Sequence, residues 1–298
     1  MPREAGGGTI CNAMPELRAL VAEELSLPVD PRVRTMAAAI AEKHGASSRA
    51  VLFYGSCLRE KKLDGLMLDF YLIVSDYRSA YDKRWLAAAN RFVPPNVFYI
   101  ESGGLAAKYA VLSEGDFYRL NGPETSSVSV WARFAQPTRL VWVAGDHARE
   151  RAIEAVSRAA PTLLAAAGKR AGEKPLDWWR RAFSLTYSAE LRAERAGRHA
   201  SVVDADRTRY QRFTEPAAAA IDRVPTASWR WRRAQGKALS VVRLAKASAT
   251  FAGGADYIAW KINRHAGTQI RLKPWQQKHP LLAAITLLPR LIRSGAVR

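Results

Sequence analysis

The stretch Met67–Val74 (MLDFYLIV) sets a single acid inside a run that is otherwise apolar. Such a run, rich in aromatic and aliphatic side chains, is expected to form a buried strand. An unpaired carboxylate there would be costly, so Asp69 is expected at a site that holds a metal or another cation. A second run of this kind, Ala50–Tyr54 (AVLFY), stops at Gly55-Ser56. After a buried strand, Gly-Ser at the mouth of a helix lets the backbone approach a phosphate, with free N–H groups and the Ser56 hydroxyl as donors.

The flanking pattern gives the fold class. Helices are expected over Glu16–Leu25, Pro31–His44 and Ser79–Phe92. Strands are expected over Val97–Glu101, Ala106–Leu112 and Thr138–Ala144, with Gly103-Gly104 closing a hairpin. Ser113-Glu114-Gly115-Asp116 has the Ser-x-x-acid shape of a helix start. Beyond Gly145-Asp146 the pattern is helical. Leu176, Trp179, Phe183, Tyr187 and Leu191 form one face after Pro175, Ala234–Phe251 is a further helix, and Leu281, Ile285, Leu288 and Ile292 form a last stripe. An α+β chain is therefore expected, with a mixed sheet in front and helices behind, changing character near residues 135–150.

Charge is unevenly placed. The 298 residues carry 46 Lys plus Arg against 27 Asp plus Glu, a net +19, and residues 1–150 hold 18 basic and 17 acidic side chains. The excess thus lies in the second half. Lys237–Arg298 alone has 11 basic residues and one acid, Asp256, a density suited to a polyanionic partner such as nucleic acid or an anionic membrane surface. Two cysteines, Cys11 and Cys57, and five scattered histidines exclude a disulfide framework or a cysteine-built zinc site. No HExxH, GxSxG or GxxxxGK[ST] pattern occurs. The longest apolar run, Leu281–Leu288, spans eight residues even with Thr286 included, against the roughly 20 of a spanning helix. The N-terminus fits neither a signal nor a transit peptide, and the Ala- and Arg-rich composition points to a bacterial cytoplasmic protein.

Gly-Ser followed by an acid on the next strand resembles the nucleotidyltransferase superfamily, although Met67 stands where that superfamily has the first acid of its acid-x-acid pair. The strings Tyr54-Gly55-Ser56, Met67-Leu68-Asp69-Phe70 and Lys108-Tyr109-Ala110-Val111-Leu112-Ser113 resemble one family in particular. These are the mitochondrial translocator assembly and maintenance proteins, which are CDP-diacylglycerol synthases (phosphatidate cytidylyltransferases). Asp76, Trp85 and Asn90 extend the likeness, as does Leu185-Thr186-Tyr187-Ser188-Ala189-Glu190-Leu191-Arg192. It covers residues 50–200 loosely.

The resemblance implies a nucleotidyltransferase-fold domain over residues 1–140, a helical, winged-helix-like domain over 141–235, and a basic amphipathic segment over 236–298 that meets the membrane. It implies transfer of CMP from CTP to phosphatidic acid, with Mg²⁺ as cofactor, by a cytoplasmic protein associated peripherally with the inner face of the membrane. Asp69 would be the main metal ligand and Glu101 a second. Lys108 would neutralise phosphate charge and act with Asp69 in catalysis. Tyr54, Gly55, Ser56, Arg59, Tyr109, Tyr187 and Arg192 would contact substrates. Glu60, Lys61, Lys62 and Asp64 form a charged loop before the Asp69 strand, and His199 and His265 receive no role. Trp229 and Trp231, alternating with Arg230, Arg232 and Arg233, suit either stacked bases or the headgroup region of a bilayer. The alternatives are a nucleotidyltransferase acting on nucleic acid or protein, or a non-enzymatic nucleic-acid-binding protein with a degenerate front domain.

Overall fold

The computed structural model describes residues 10–60, 63, 65–190 and 202–250. The chain begins with α1 (Ile10–Ser26) and α2 (Pro31–Glu42). Asp30 caps α2 by accepting from the Arg32 N–H at 2.9 Å, with Pro31 in the first turn. The front half continues with β1 (Ser48–Tyr54), α3 (Ser56–Glu60), β2 (Met67–Val74), α4 (Arg84–Phe92), β3 (Asn96–Ser102) and β4 (Leu105–Ser113). Then come α5 (Glu114–Asn121), α6 (Trp131–Phe134) and β5 (Thr138–Val143). The remainder is helical: α7 (Asp146–Ser157), α8 (Ala159–Ala167), α9 (Pro175–Ala189), α10 (Arg207–Ala219) and α11 (Trp229–Thr250). Among the described residues no strand follows β5.

The five strands form one mixed sheet in the order β3-β4-β2-β1-β5. Only β2 and β4 run parallel; the other neighbours are antiparallel. Alternation along the strands gives the sheet two apolar faces. Val51, Phe53, Phe70, Leu72 and Val111 pack against Val33, Met36 and Ile40 of α2. Leu52, Tyr71, Ile73 and Leu112 face the other way, into a core shared with Phe117, Trp131 and Phe134 and with Trp179, Phe183 and Tyr210 of the helical half. The sheet and the helices behind it are thus joined by one continuous buried cluster.

A buried ion pair fastens the two ends of that cluster. Arg209 of α10 donates through Nε and Nη2 to the carboxylate of Glu24 in α1, and through Nη1 to the Ala135 carbonyl at 3.0 Å. Its guanidinium also lies over the Phe213 ring, 4.3 Å from the centroid.

Three helix starts differ from expectation, the first being α1, expected from Glu16 but beginning at Ile10 with Pro15 inside it. The segment Ser79–Phe92 is helical only from Arg84, because Asp76 turns the chain by accepting from the backbone N–H groups of Arg78 (2.8 Å) and Ser79 (3.0 Å). Conversely, the helix expected from Ala234 begins at Trp229, where the Ser228 hydroxyl accepts from the Trp231 N–H at 3.3 Å. The stripe from Leu281 to Ile292 lies outside the described residues. No helix among the described residues is long and apolar enough to cross a membrane.

Candidate active site

The register of the sheet aligns Thr138, Tyr54, Asp69, Lys108 and Tyr99 in one row across all five strands. Residues opposed in this way present their side chains to one face. Asp69 and Lys108 therefore meet: Lys108 Nζ lies 3.0 Å from Asp69 Oδ1, with the side chains 24% and 20% exposed. The pair is held by the two central parallel strands yet open to solvent, and it answers the cost of placing a carboxylate in β2.

Gly55 completes this corner. Its φ of +96° lies in the region that disfavours L side chains, and an added Cβ would stand 3.0 Å from Asp69 Oδ2. The glycine thus lets the turn into Ser56 and α3 lie directly against the carboxylate. Ser56 opens α3. Beside them, burial raises the pKa of the Tyr54 hydroxyl well above its usual value, with the Asp69 charge acting in the same direction. Tyr54 stays protonated, close to the Arg133 guanidinium.

Nothing in the sequence pattern singles out Arg133. It follows Trp131 in α6, and its neighbour Phe134 packs on Tyr54 and Tyr71 with centroids at 6.1 and 5.1 Å. The guanidinium lies 3.7 Å from Glu190, which ends α9, and donates to the Ser129 carbonyl. Burial disfavours its charge, but Glu190, then Tyr71, Tyr54 and Asp69, outweigh that and raise its pKa. Arg243 of α11 also feels Glu190; burial lowers its pKa, and its Nε donates to the Pro94 carbonyl at 2.9 Å. Next to it, Lys246 is lowered to about 7, chiefly by burial and then by Arg243. Asp69 and Glu190 thus stand near three basic side chains, Lys108, Arg133 and Arg243.

No protein-family model matches the chain, and no curated protein matches it. The site therefore has to be read from its own geometry.

Of the residues singled out from the sequence, the structure brings together Tyr54, Gly55, Ser56, Asp69 and Lys108. Glu101 is not brought to Asp69. It shares the face but stands two strands away, about 10 Å across the sheet and further along it. There the Tyr99 hydroxyl donates to it. Tyr109 is on the opposite face, because successive strand residues alternate and Lys108 takes the site side. It is buried with its hydroxyl 3.3 Å from His44 Nε2. Tyr187 packs at the margin of the core from α9. Arg59 lies in α3, and its side chain, like that of Glu60, is outside the description. Lys61, Lys62, Asp64, Arg192, His199 and His265 lie outside the described residues.

Among the described residues no three His, Cys, Asp or Glu side chains converge as a metal cluster. Mg²⁺ needs no such cluster, because it commonly takes one or two carboxylates and fills its octahedron with phosphate oxygens and water. Asp69 beside the Gly55 turn fits that mode, with the Lys108 ammonium as the local counter-charge.

The Trp229–Arg233 segment divides unevenly. Arg232 is fully buried and donates to the carbonyls of Ala227, Thr125 and Ser126, and Trp229 Nε1 donates to the Ala166 carbonyl. Arg230, Trp231 and Arg233 remain exposed. Two of the five residues of the alternating basic-aromatic string, Trp229 and Arg232, therefore hold the fold together.

Proposed function

We propose that the chain is a phosphatidate cytidylyltransferase, forming CDP-diacylglycerol and pyrophosphate from CTP and phosphatidic acid on a nucleotidyltransferase-type fold. The observation that carries this reading is the Asp69–Lys108 pair set against the Gly55 turn. A carboxylate, an ammonium and an open glycine backbone side by side are what a metal-assisted triphosphate site needs. The likeness of the strings around Tyr54, Asp69 and Lys108 to the CDP-diacylglycerol synthases narrows the class to cytidylyl transfer.

The chemistry needs few protein groups. A phosphomonoester oxygen attacks the α-phosphorus of CTP, the bond to the β-phosphate oxygen breaks, and pyrophosphate leaves with the electron pair. The nucleophile is already an anion, so no side chain must remove a proton. Catalysis then rests on positioning and charge neutralisation. Asp69 would hold Mg²⁺, which would supply positive charge to offset that of the triphosphate. Lys108 supplies a fixed positive charge beside it, Gly55 and Ser56 offer backbone and hydroxyl donors to the phosphates, and Tyr54 stays neutral as a hydrogen-bonding wall.

In this reading the basic segment after Lys237 brings the enzyme to an anionic membrane surface, where its lipid substrate lies. The test is pyrophosphate release from CTP, ATP, GTP and UTP with Mg²⁺, with and without phosphatidate in mixed micelles. Release that needs CTP, phosphatidate and Asp69 together supports the reading. Turnover of CTP that ignores phosphatidate, or that survives Asp69→Asn, overturns it.

A further inference from the structure

We propose that Arg133 and Arg243 form a phosphate-binding subsite beside Asp69, in which the carboxylate of Glu190 stands in for the phosphate group of the acceptor. The placement is built into the fold. Gly236 of α11 comes so close to α9 that an added Cβ would stand 2.1 Å from the Ala189 carbonyl oxygen, and this tight crossing sets α11 beside the end of α9. Seven residues on, two helical turns, Arg243 donates to the Pro94 carbonyl at 2.9 Å and lies within electrostatic range of Glu190. From the other side, α6 presents Arg133 to the same carboxylate at 3.7 Å.

Glu190 is 7% exposed, whereas the Arg133 side chain keeps 30% of its surface in solvent. No acidic side chain among the described residues is ion-paired with Arg243. A guanidinium offers paired donors matched to carboxylate and phosphate alike, and a phosphate carries up to twice the charge. A phosphate dianion therefore suits two guanidinia better than the one carboxylate, which is ion-paired with Arg133 and not with Arg243. Arg133 also acts electrostatically on Asp69 and lies close to Tyr54, so a phosphate here would lie next to the carboxylate row.

The shared chemistry is a phosphate group; that it belongs to the acceptor rests on the reading above. Binding of glycerol 3-phosphate, dihexanoyl phosphatidate and pyrophosphate to the full chain, measured by calorimetry without nucleotide or Mg²⁺, separates the sources. The two phosphomonoesters are expected to bind, and more tightly than pyrophosphate. Arg133→Gln and Arg243→Gln should each weaken phosphomonoester binding at least tenfold. Glu190→Gln should tighten it several-fold, a direction that loss of a merely structural ion pair would not give.

If Arg133→Gln does not fold, Arg133→Lys and Arg243→Gln still decide. Phosphomonoester affinity unchanged in the arginine variants, or weakened in Glu190→Gln, overturns the proposal. Stronger binding of pyrophosphate, lost in the same variants, would assign the subsite to the nucleotide and refute the acceptor role. Because these titrations contain no CTP, phosphomonoester binding that depends on Arg133, together with a failure of CTP turnover, would leave the subsite standing and sink the transferase reading.

Discussion

Two ion pairs on one face of this molecule, Glu24–Arg209 and Asp69–Lys108, have similar chemistry and opposite design. The first is 11% and 7% exposed by side chain, bidentate, and completed by the Ala135 carbonyl and by the Thr138 N–H, which donates to Glu24 at 3.4 Å. Its charges balance, and it lies between helices distant in sequence. The second is more open, lies on two central strands, and is flanked by Arg133, a glycine turn and solvent. A closed, balanced pair joins elements, and breaking one half leaves a buried charge. An open pair in a basic surround is poised to exchange partners, which is what a site for phosphates requires.

The largest expected effect separates the two directly. Asp69→Asn should lower pyrophosphate release from CTP by about 10²–10³-fold or more, the scale of losing a group that stabilises transition-state charge, while thermal stability stays near that of the parent. A Tm collapse in this variant would make Asp69 a structural residue and erase the contrast. Arg209→Met should do the reverse, costing roughly 3–5 kcal/mol of stability by stranding Glu24. Denaturant unfolding measures that loss, and turnover well below the unfolding transition should hold.

Gly55→Ala should act at an intermediate scale. The positive φ costs an alanine about 1–2 kcal/mol, and the new methyl would press on Asp69 Oδ2. Turnover should fall by roughly 10–100-fold through displaced geometry, more than the stability loss would explain. An alanine variant with parental kcat/KM would remove Gly55 from the site.

The smallest effect concerns the rim of the basic cluster. Lys246 has its pKa lowered in the folded chain to about 7 from an ordinary 10.5. Between those values the unfolded chain binds the extra proton, so stability should rise as pH rises from 7 towards 10.5; below 7 both states are protonated and the full penalty applies. Lys246→Met should remove that part of the rise, read as the difference between the two unfolding profiles. Parallel profiles would place the lysine in ordinary solvent.

How much of this was legible in the sequence differs by level. The strands, the Gly103-Gly104 hairpin and the Ser113 cap could be read because local periodicity and turn chemistry fix them. The start of α4 departs from the helical pattern because the Asp76 turn competes with the helix through side-chain bonds to the backbone. Asp69 announced itself as a charge in an apolar strand, and Lys108 stood in a recognisable string. Tyr109 could have been excluded from the same side by strand alternation alone. Arg133, Glu190 and Arg243 could not have been grouped: they lie on three helices far apart in sequence, and only the crossing at Gly236 and the packing of Phe134 bring them to one place.

The most direct measurement is the identity of the product. The full chain is incubated with CTP, Mg²⁺ and phosphatidate in mixed micelles, and the lipid fraction is analysed by mass spectrometry beside Asp69→Asn. The account predicts CDP-diacylglycerol in amounts matching the pyrophosphate released, and its absence from the variant. Pyrophosphate without a nucleotidyl lipid, or CDP-diacylglycerol formed equally by Asp69→Asn, would contradict it.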